Sequence, residues 1–126
     1  MEKIQTAVRI VLSKYATFTG RASRSEFWWW VLAVFVTMLI VGAIDAILFG
    51  TGPEAGSPIS FLVSLGLLVP NIAVGARRMH DIGKSGWWLL IAFIPIVGFF
   101  VLLYFYVQPS EPEPNAYGAP QPFPIQ

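Results

Sequence analysis

The chain has 126 residues, 56% of them hydrophobic and 12% charged, with a formal net charge of +1. A soluble globular domain carries about 25% charged residues, so this chain lacks the polar surface to cover a water-soluble particle, and lipid has to supply the covering. With no Cys and one His, a disulfide, a thiol nucleophile and a Cys-ligated metal are excluded, and neither a zinc site nor any other cofactor is expected. The small net charge gives no reason to expect a nucleic-acid partner.

Taken in order, residues 2–16 read as an amphipathic helix. Ile4, Ala7, Val8, Val11, Leu12 and Tyr15 fall on one face, and Lys3, Gln5, Thr6, Arg9, Ser13 and Lys14 on the other. Next to a spanning segment, such a basic helix is expected to lie in the headgroup plane; the other reading is a helix packed on a soluble partner. It is not read as a signal peptide, because the apolar run after it is too long and no small-x-small cleavage site follows closely. Ser23 and Glu26 have capping-box spacing: the Ser oxygen accepts from the Glu26 amide, and Glu26 reaches back to the Ser23 amide. A helix therefore starts here, with Arg21 and Arg24 at its mouth.

Phe27–Phe49 is long enough to cross a bilayer, which takes about 20 apolar residues. Trp28, Trp29 and Trp30 mark its interface, Asp45 its far end, and Gly42 and Ala46 form a small-xxx-small pair. A short loop over residues 50–58 carries Glu54 and no basic residue. Residues 59–76 form a second span, which Pro70 should kink, with Asn71 bonded to another helix or to the backbone the proline frees. Arg77–Trp88 (RRMHDIGKSGWW) is read as a tight, charged turn at the membrane surface. Residues 87–107 then form a third span, with Trp87 and Trp88 at its start, Tyr104 and Tyr106 as a second aromatic belt, and a bend at Pro95 and Gly98. The segment is too short for two full crossings, so no hairpin is expected. The tail, residues 108–126, holds six of the ten prolines and is expected to be extended and mostly disordered.

Every Lys and Arg falls in one of two places: Lys3, Arg9, Lys14, Arg21 and Arg24 before the first span, and Arg77, Arg78 and Lys84 before the third. Three spans put both places on one side, and the positive-inside rule makes that side the cytoplasm. The N-terminus is then cytoplasmic and the tail outside.

Ser85 can cap the third helix as Ser23 caps the first, so two helix N-termini would point free amides at the cytoplasmic headgroup layer beside Arg21, Arg24, Arg77, Arg78 and Lys84. Helix N-termini with arginines make an anion site suited to phosphate, which points to an anionic lipid head group or a phosphorylated ligand. The other reading gives these cations to topology, with Arg24, Arg77 or Arg78 paired to Glu26 or Asp81 to fix the bundle. Gly83-Lys84-Ser85 lacks the upstream glycine and strand of a phosphate loop. His80 and Asp81 are neighbours on a helix and do not face each other. No nucleophile accompanies them, so a salt-bridge role is expected rather than catalysis, and the chain is not read as an enzyme.

Phe18-Thr19-Gly20-Arg21-Ala22-Ser23-Arg24-Ser25-Glu26-Phe27-Trp28, Pro70, Arg77-Arg78-Met79-His80-Asp81-Ile82-Gly83-Lys84-Ser85-Gly86-Trp87-Trp88, Pro95, Gly98 and Asn115-Ala116-Tyr117-Gly118 together resemble the small bacterial inner-membrane proteins grouped as domain of unknown function 805. Met79 stands where that family more usually has Leu. The resemblance implies a bacterial cytoplasmic-membrane protein, supplies no activity, and implies that Asn115–Gly118 is a fixed local element such as a turn.

The expected architecture is an all-α membrane protein with one interfacial amphipathic helix and three transmembrane helices. The expected role is a non-enzymatic interaction or accessory component whose partners are membrane lipids and a second copy or another membrane protein. The competing reading is an oligomeric transporter or channel subunit that uses the Pro70–Asn71 break and Asp45 as a polar path.

Overall fold

The computed structural model describes residues 2–119, and these are all-helical, without a named strand. α1 spans Glu2–Ser13, α2 Arg24–Phe49 and α3 Pro58–Asp81; a 3-10 helix covers Gly86–Phe93, and α4 covers Val97–Tyr106. α1 buries Ala7 and Val11 against the other helices and leaves Lys3 and Arg9 exposed. Its apolar face therefore packs on its own chain. The core gathers where α1 meets α2 and α3, around Val11, Ala22, Phe27, Trp30 and Val74.

α2 and α3 are antiparallel and, among the described residues, are the two helices long and apolar enough to cross a membrane. At 1.5 Å per residue they run about 39 and 36 Å, more than the ~30 Å hydrocarbon core. Three polar contacts set their register. Glu26 meets Arg77 near the end where α2 begins. The Trp30 indole donates to Asn71 Oδ1 at 2.7 Å, which gives the amide beside Pro70 its partner. At the far end Ser57 makes no side-chain cap, and buried Asp45 from α2 accepts from the Ile59 and Ser60 amides at 3.1 and 2.7 Å, capping α3 across the interface.

α3 runs on through Arg77, Arg78 and His80 to Asp81, so the charged stretch is a helix end and only Ile82–Ser85 is turn. Its stop is a Schellman motif. The Lys84 amide donates to Met79 O at 2.8 Å and the Gly83 amide to His80 O at 3.0 Å, with Gly83 at φ 78°.

Residues 87–107 do not form the single expected span. The 3-10 helix and α4 are two antiparallel arms of a hairpin: Trp88 meets Phe105 edge-on with ring centroids 5.4 Å apart, and Lys84 lies 5.7 Å from the Phe105 centroid. Trp87, Trp88, Tyr104 and Tyr106 thus belong to one end of the hairpin, and the two aromatic belts are one. The reversal is a γ-turn. Ile96 sits at φ 67°, ψ −64°, and the Val97 amide donates to Pro95 O at 2.7 Å. Gly98 then passes so close to the first arm that a Cβ there would lie 1.9 Å from Ile91 O. Each arm is about 15–16 Å long by helical rise, roughly half a bilayer core. Two full crossings do not fit in this segment, as its length requires, but two half-length arms do.

The tail also departs from expectation. Residues 108–118 return to the arginine cluster and pack on it, so this part is neither disordered nor on the opposite side from those arginines. Asn115 and Gly118 exchange both backbone hydrogen bonds at 3.0 Å, the fixed turn that the resemblance implied. Residues 120–126 of the tail lie outside the described residues.

Candidate functional site

The polar cluster forms a cap where the start of α2, the end of α3 and the end of α4 converge. Asp81 is its hub. One carboxylate oxygen accepts from Arg21 Nε at 3.0 Å, and the other accepts from Arg78 Nη1 at 2.8 Å and from the Ser110 hydroxyl. All three ionic side chains are fully buried. Arg77 Nη1 donates to Glu26 Oε2 at 2.7 Å in a third buried pair. Three buried guanidinium groups thus face two carboxylates.

Backbone carbonyls answer the remaining charge. Arg21 Nη1 donates to Glu113 O and Gly118 O, and Nη2 to Asp81 O and Glu111 O, at 2.7 to 3.1 Å. With Nε on Asp81, all five of its N–H groups are used. The orphan carbonyls at the end of α4 are met in the same way: Tyr106 O accepts from Trp28 Nε1 and Arg78 Nε, Val107 O from Arg24 Nη1, and Gln108 O from Arg78 Nη2. Cations belong at helix C-termini, where the carbonyl ends of α3 and α4 carry partial negative charge. The expected anion site relied on two helix N-termini. The cap adds the C-termini of α3 and α4 to this end of the bundle, and its buried arginines have carbonyl and carboxylate partners.

Of the five cations expected to hold an anion, Arg21, Arg77 and Arg78 are buried inside the cap, Arg24 is exposed at its rim, and Lys84 is half-buried against Phe105. The caps fall where their spacing indicates: Ser23 Oγ accepts from the Glu26 amide at 3.1 Å and Ser85 Oγ from the Trp87 amide at 3.2 Å. The return half of the Ser23 capping box is replaced, because the Glu26 carboxylate turns to Arg77. His80 Nδ1 lies 2.9 Å from Gly20 O, and the ring stacks on Tyr117 at 4.0 Å, 2° from parallel. Asn115 donates to His80 O and to Glu111 Oε1. Arg77 is the exception to this saturation: its Nε and Nη2 are buried without a partner among the described residues.

Sequence reasoning missed Trp28, Ser110, Glu111, Asn115 and Tyr117 as members of the cap. Most of what they contribute is a contact to a backbone carbonyl or ring face, which no residue spacing marks. The Asn115–Gly118 pattern was the one available signal, and it came from resemblance.

The family model described as "Protein of unknown function (DUF805)" matches residues 15–119. The chain is 36% identical over 108 residues to inner membrane protein YhaI of Escherichia coli K12, covering 86% of this chain and 88% of that one. It is 31% identical over 108 residues to inner membrane protein YhaH of the same strain, covering 86% and 89%. The uncharacterized protein YiiR is 35% identical over 86 residues, covering 68% of this chain and 53% of that one. No solved structure matches the chain. The match spans the α2 start, all three buried ion pairs, the hairpin and the Asn115–Gly118 turn, and the chain belongs to the DUF805 family of proteins of unknown function.

Proposed function

We propose that this protein is a non-enzymatic component of the bacterial inner membrane, an accessory or interaction subunit. In this reading α2 and α3 span the bilayer, and a re-entrant hairpin enters it from the cap side and leaves on the same side. The observation that carries the reading is the closed ionic cap: Asp81, at the end of the second span, holds Arg21 before the first span and Ser110 after the hairpin. Entry and exit of the hairpin therefore share one face. All eight Lys and Arg lie before or at the start of α2, at the end of α3, or between α3 and the hairpin, so the positive-inside rule puts the cap, the N-terminus and the tail in the cytoplasm. The exposed apolar tip, with Phe93 83% and Ile96 73% accessible, suits burial in acyl chains.

A structural role for the cap is supported by how its titratable groups are spent. Glu26 and Asp81 are paired to arginines, and His80 is bonded and stacked. The transporter reading loses its polar path in the same way, since Asn71 accepts from Trp30 and Asp45 caps α3. Any contact with anionic lipid falls to the accessible cations.

The chain has no native Cys, which permits single-cysteine topology mapping. A membrane-impermeant maleimide added to intact spheroplasts should label Glu54→Cys and spare Ala116→Cys; inverted membranes should give the reverse. Labelling of Ala116→Cys from outside would overturn the two-span reading.

A further inference from the structure

Three apolar and polar features meet at one edge of the cap. A groove of about 390 Å³ lies between α2 and the hairpin, walled by Phe27, Trp28, Val31, Pro95, Phe99 and Leu103 among others. A second hollow of about 500 Å³ lies on the other side of Trp28, along Trp29 and Leu32, with Arg24 and Ser25 at its mouth. Trp28 is the ridge between them, fixed by its bond to Tyr106 O. Arg24 stands at the top of this ridge. It is exposed, it makes one hydrogen bond, to Val107 O, and it has no carboxylate partner among the described residues. The nearest acid in sequence, Glu26, is taken by Arg77.

We propose that this edge binds one anionic phospholipid, with the head-group phosphate on the Arg24 guanidinium and one acyl chain on each side of Trp28. Two apolar hollows that share a wall fit the two chains of a diacyl lipid. With Nη1 on Val107 O, the parallel Nε and Nη2 donors of the guanidinium remain to fit a phosphate diester. The head group is anionic rather than zwitterionic because no carboxylate among the described residues pairs with Arg24 to mark a place for an ammonium group. Depth agrees: Trp28 and Trp29 sit about one turn below Arg24, where indoles occupy the interface, and both grooves run along α2 there, the first also against the hairpin arms. The buried arginines take no part, since their donors are turned to internal partners or enclosed.

The inference rests on the re-entrant topology above, which the maleimide labelling tests separately. Its own test is native mass spectrometry of the full chain purified in detergent and titrated with dioleoyl-phosphatidylglycerol or dioleoyl-phosphatidylethanolamine. The expected result is one retained phosphatidylglycerol per chain, with about tenfold weaker retention of phosphatidylethanolamine and the same loss in Arg24→Gln, the scale of one charge-assisted contact. Arg24→Lys should retain most of the binding, and Lys84→Gln should bind as the parent does. Leu103→Trp, which fills one groove without touching the charge, should weaken diacyl lipid more than the single-chain lyso form. Glycerol phosphate without chains should not bind. Equal retention of both lipids, an unchanged Arg24→Gln, or an equal loss in Lys84→Gln would each overturn the site. Circular dichroism of each variant separates loss of the site from loss of the fold.

Discussion

Asp81→Ala removes the hub of the cap. The carboxylate is fully buried and takes Arg21 Nε, Arg78 Nη1 and the Ser110 hydroxyl. Without it two buried guanidinium groups lose their counter-ion. Removing one partner of a buried pair costs about 3–5 kcal/mol. Arg21 keeps four carbonyl bonds and Arg78 two, so the low end, about 3 kcal/mol, is the expected cost. The tail bears it first, since Arg21, oriented by Asp81, holds residues 111–118 to the cap together with the Asn115 and Tyr117 contacts to His80. At 1.4 kcal/mol per tenfold, the open tail becomes about a hundredfold more populated. Chymotrypsin cleavage after Tyr117, which stacks on His80 in the closed form, follows that open fraction when reclosing is fast. The rate should rise about a hundredfold in Asp81→Ala, while Glu113→Ala, whose side chain is exposed, should match the parent. A rise in Asp81→Ala of under about threefold, the scatter of a neutral surface change of about 0.5 kcal/mol, with the helices intact, would refute the reasoning.

Gly98→Ala places a Cβ 1.9 Å from a backbone oxygen of the opposite arm, so the hairpin must part; a spin-label pair at Ala92 and Leu102 should report a longer, broader separation, and an unchanged distance would count against the turn. Asp45→Ala strips the Ile59 and Ser60 amides of their acceptor, and those two amides should exchange with deuterium faster while Asn71 and its neighbours stay protected. The two unpaired donors of Arg77 call for buried water: a high-resolution experimental structure should show ordered solvent within hydrogen-bond distance of Nε or Nη2, and a dry guanidinium there would contradict the accounting.

Local chemistry was legible in the residues. Low charge and long apolar runs mark three expected spans, two of which are membrane-length helices; Ser23 and Ser85 stand where their helices begin, and Asn71 beside Pro70 finds a partner on the neighbouring helix. These are properties of neighbouring residues, or of one face of one helix, and they need no knowledge of where the chain goes next. The cap pairings were half visible: Glu26 with Arg77 and Arg78 with Asp81 were among the pairs considered, whereas Arg21 with Asp81 was not.

Whether residues 87–107 cross the membrane or double back within it was left to the tertiary structure. Their length suits one span, and the same residues divide into two half-length arms once Pro95–Val97 closes a γ-turn and Gly98 lets the arms touch. Charge counting could not separate the two cases, because the tail carries no Lys or Arg to vote with. The fate of the arginines was hidden for a related reason. Arg21 spends four of its five donors on carbonyls, one at Asp81 and three in the tail, and Arg78 spends two at the end of α4. Every residue has a carbonyl, so a carbonyl leaves no mark in a sequence. Only the folded chain shows which ones are brought, some 90 residues downstream, to the guanidinium that needs them.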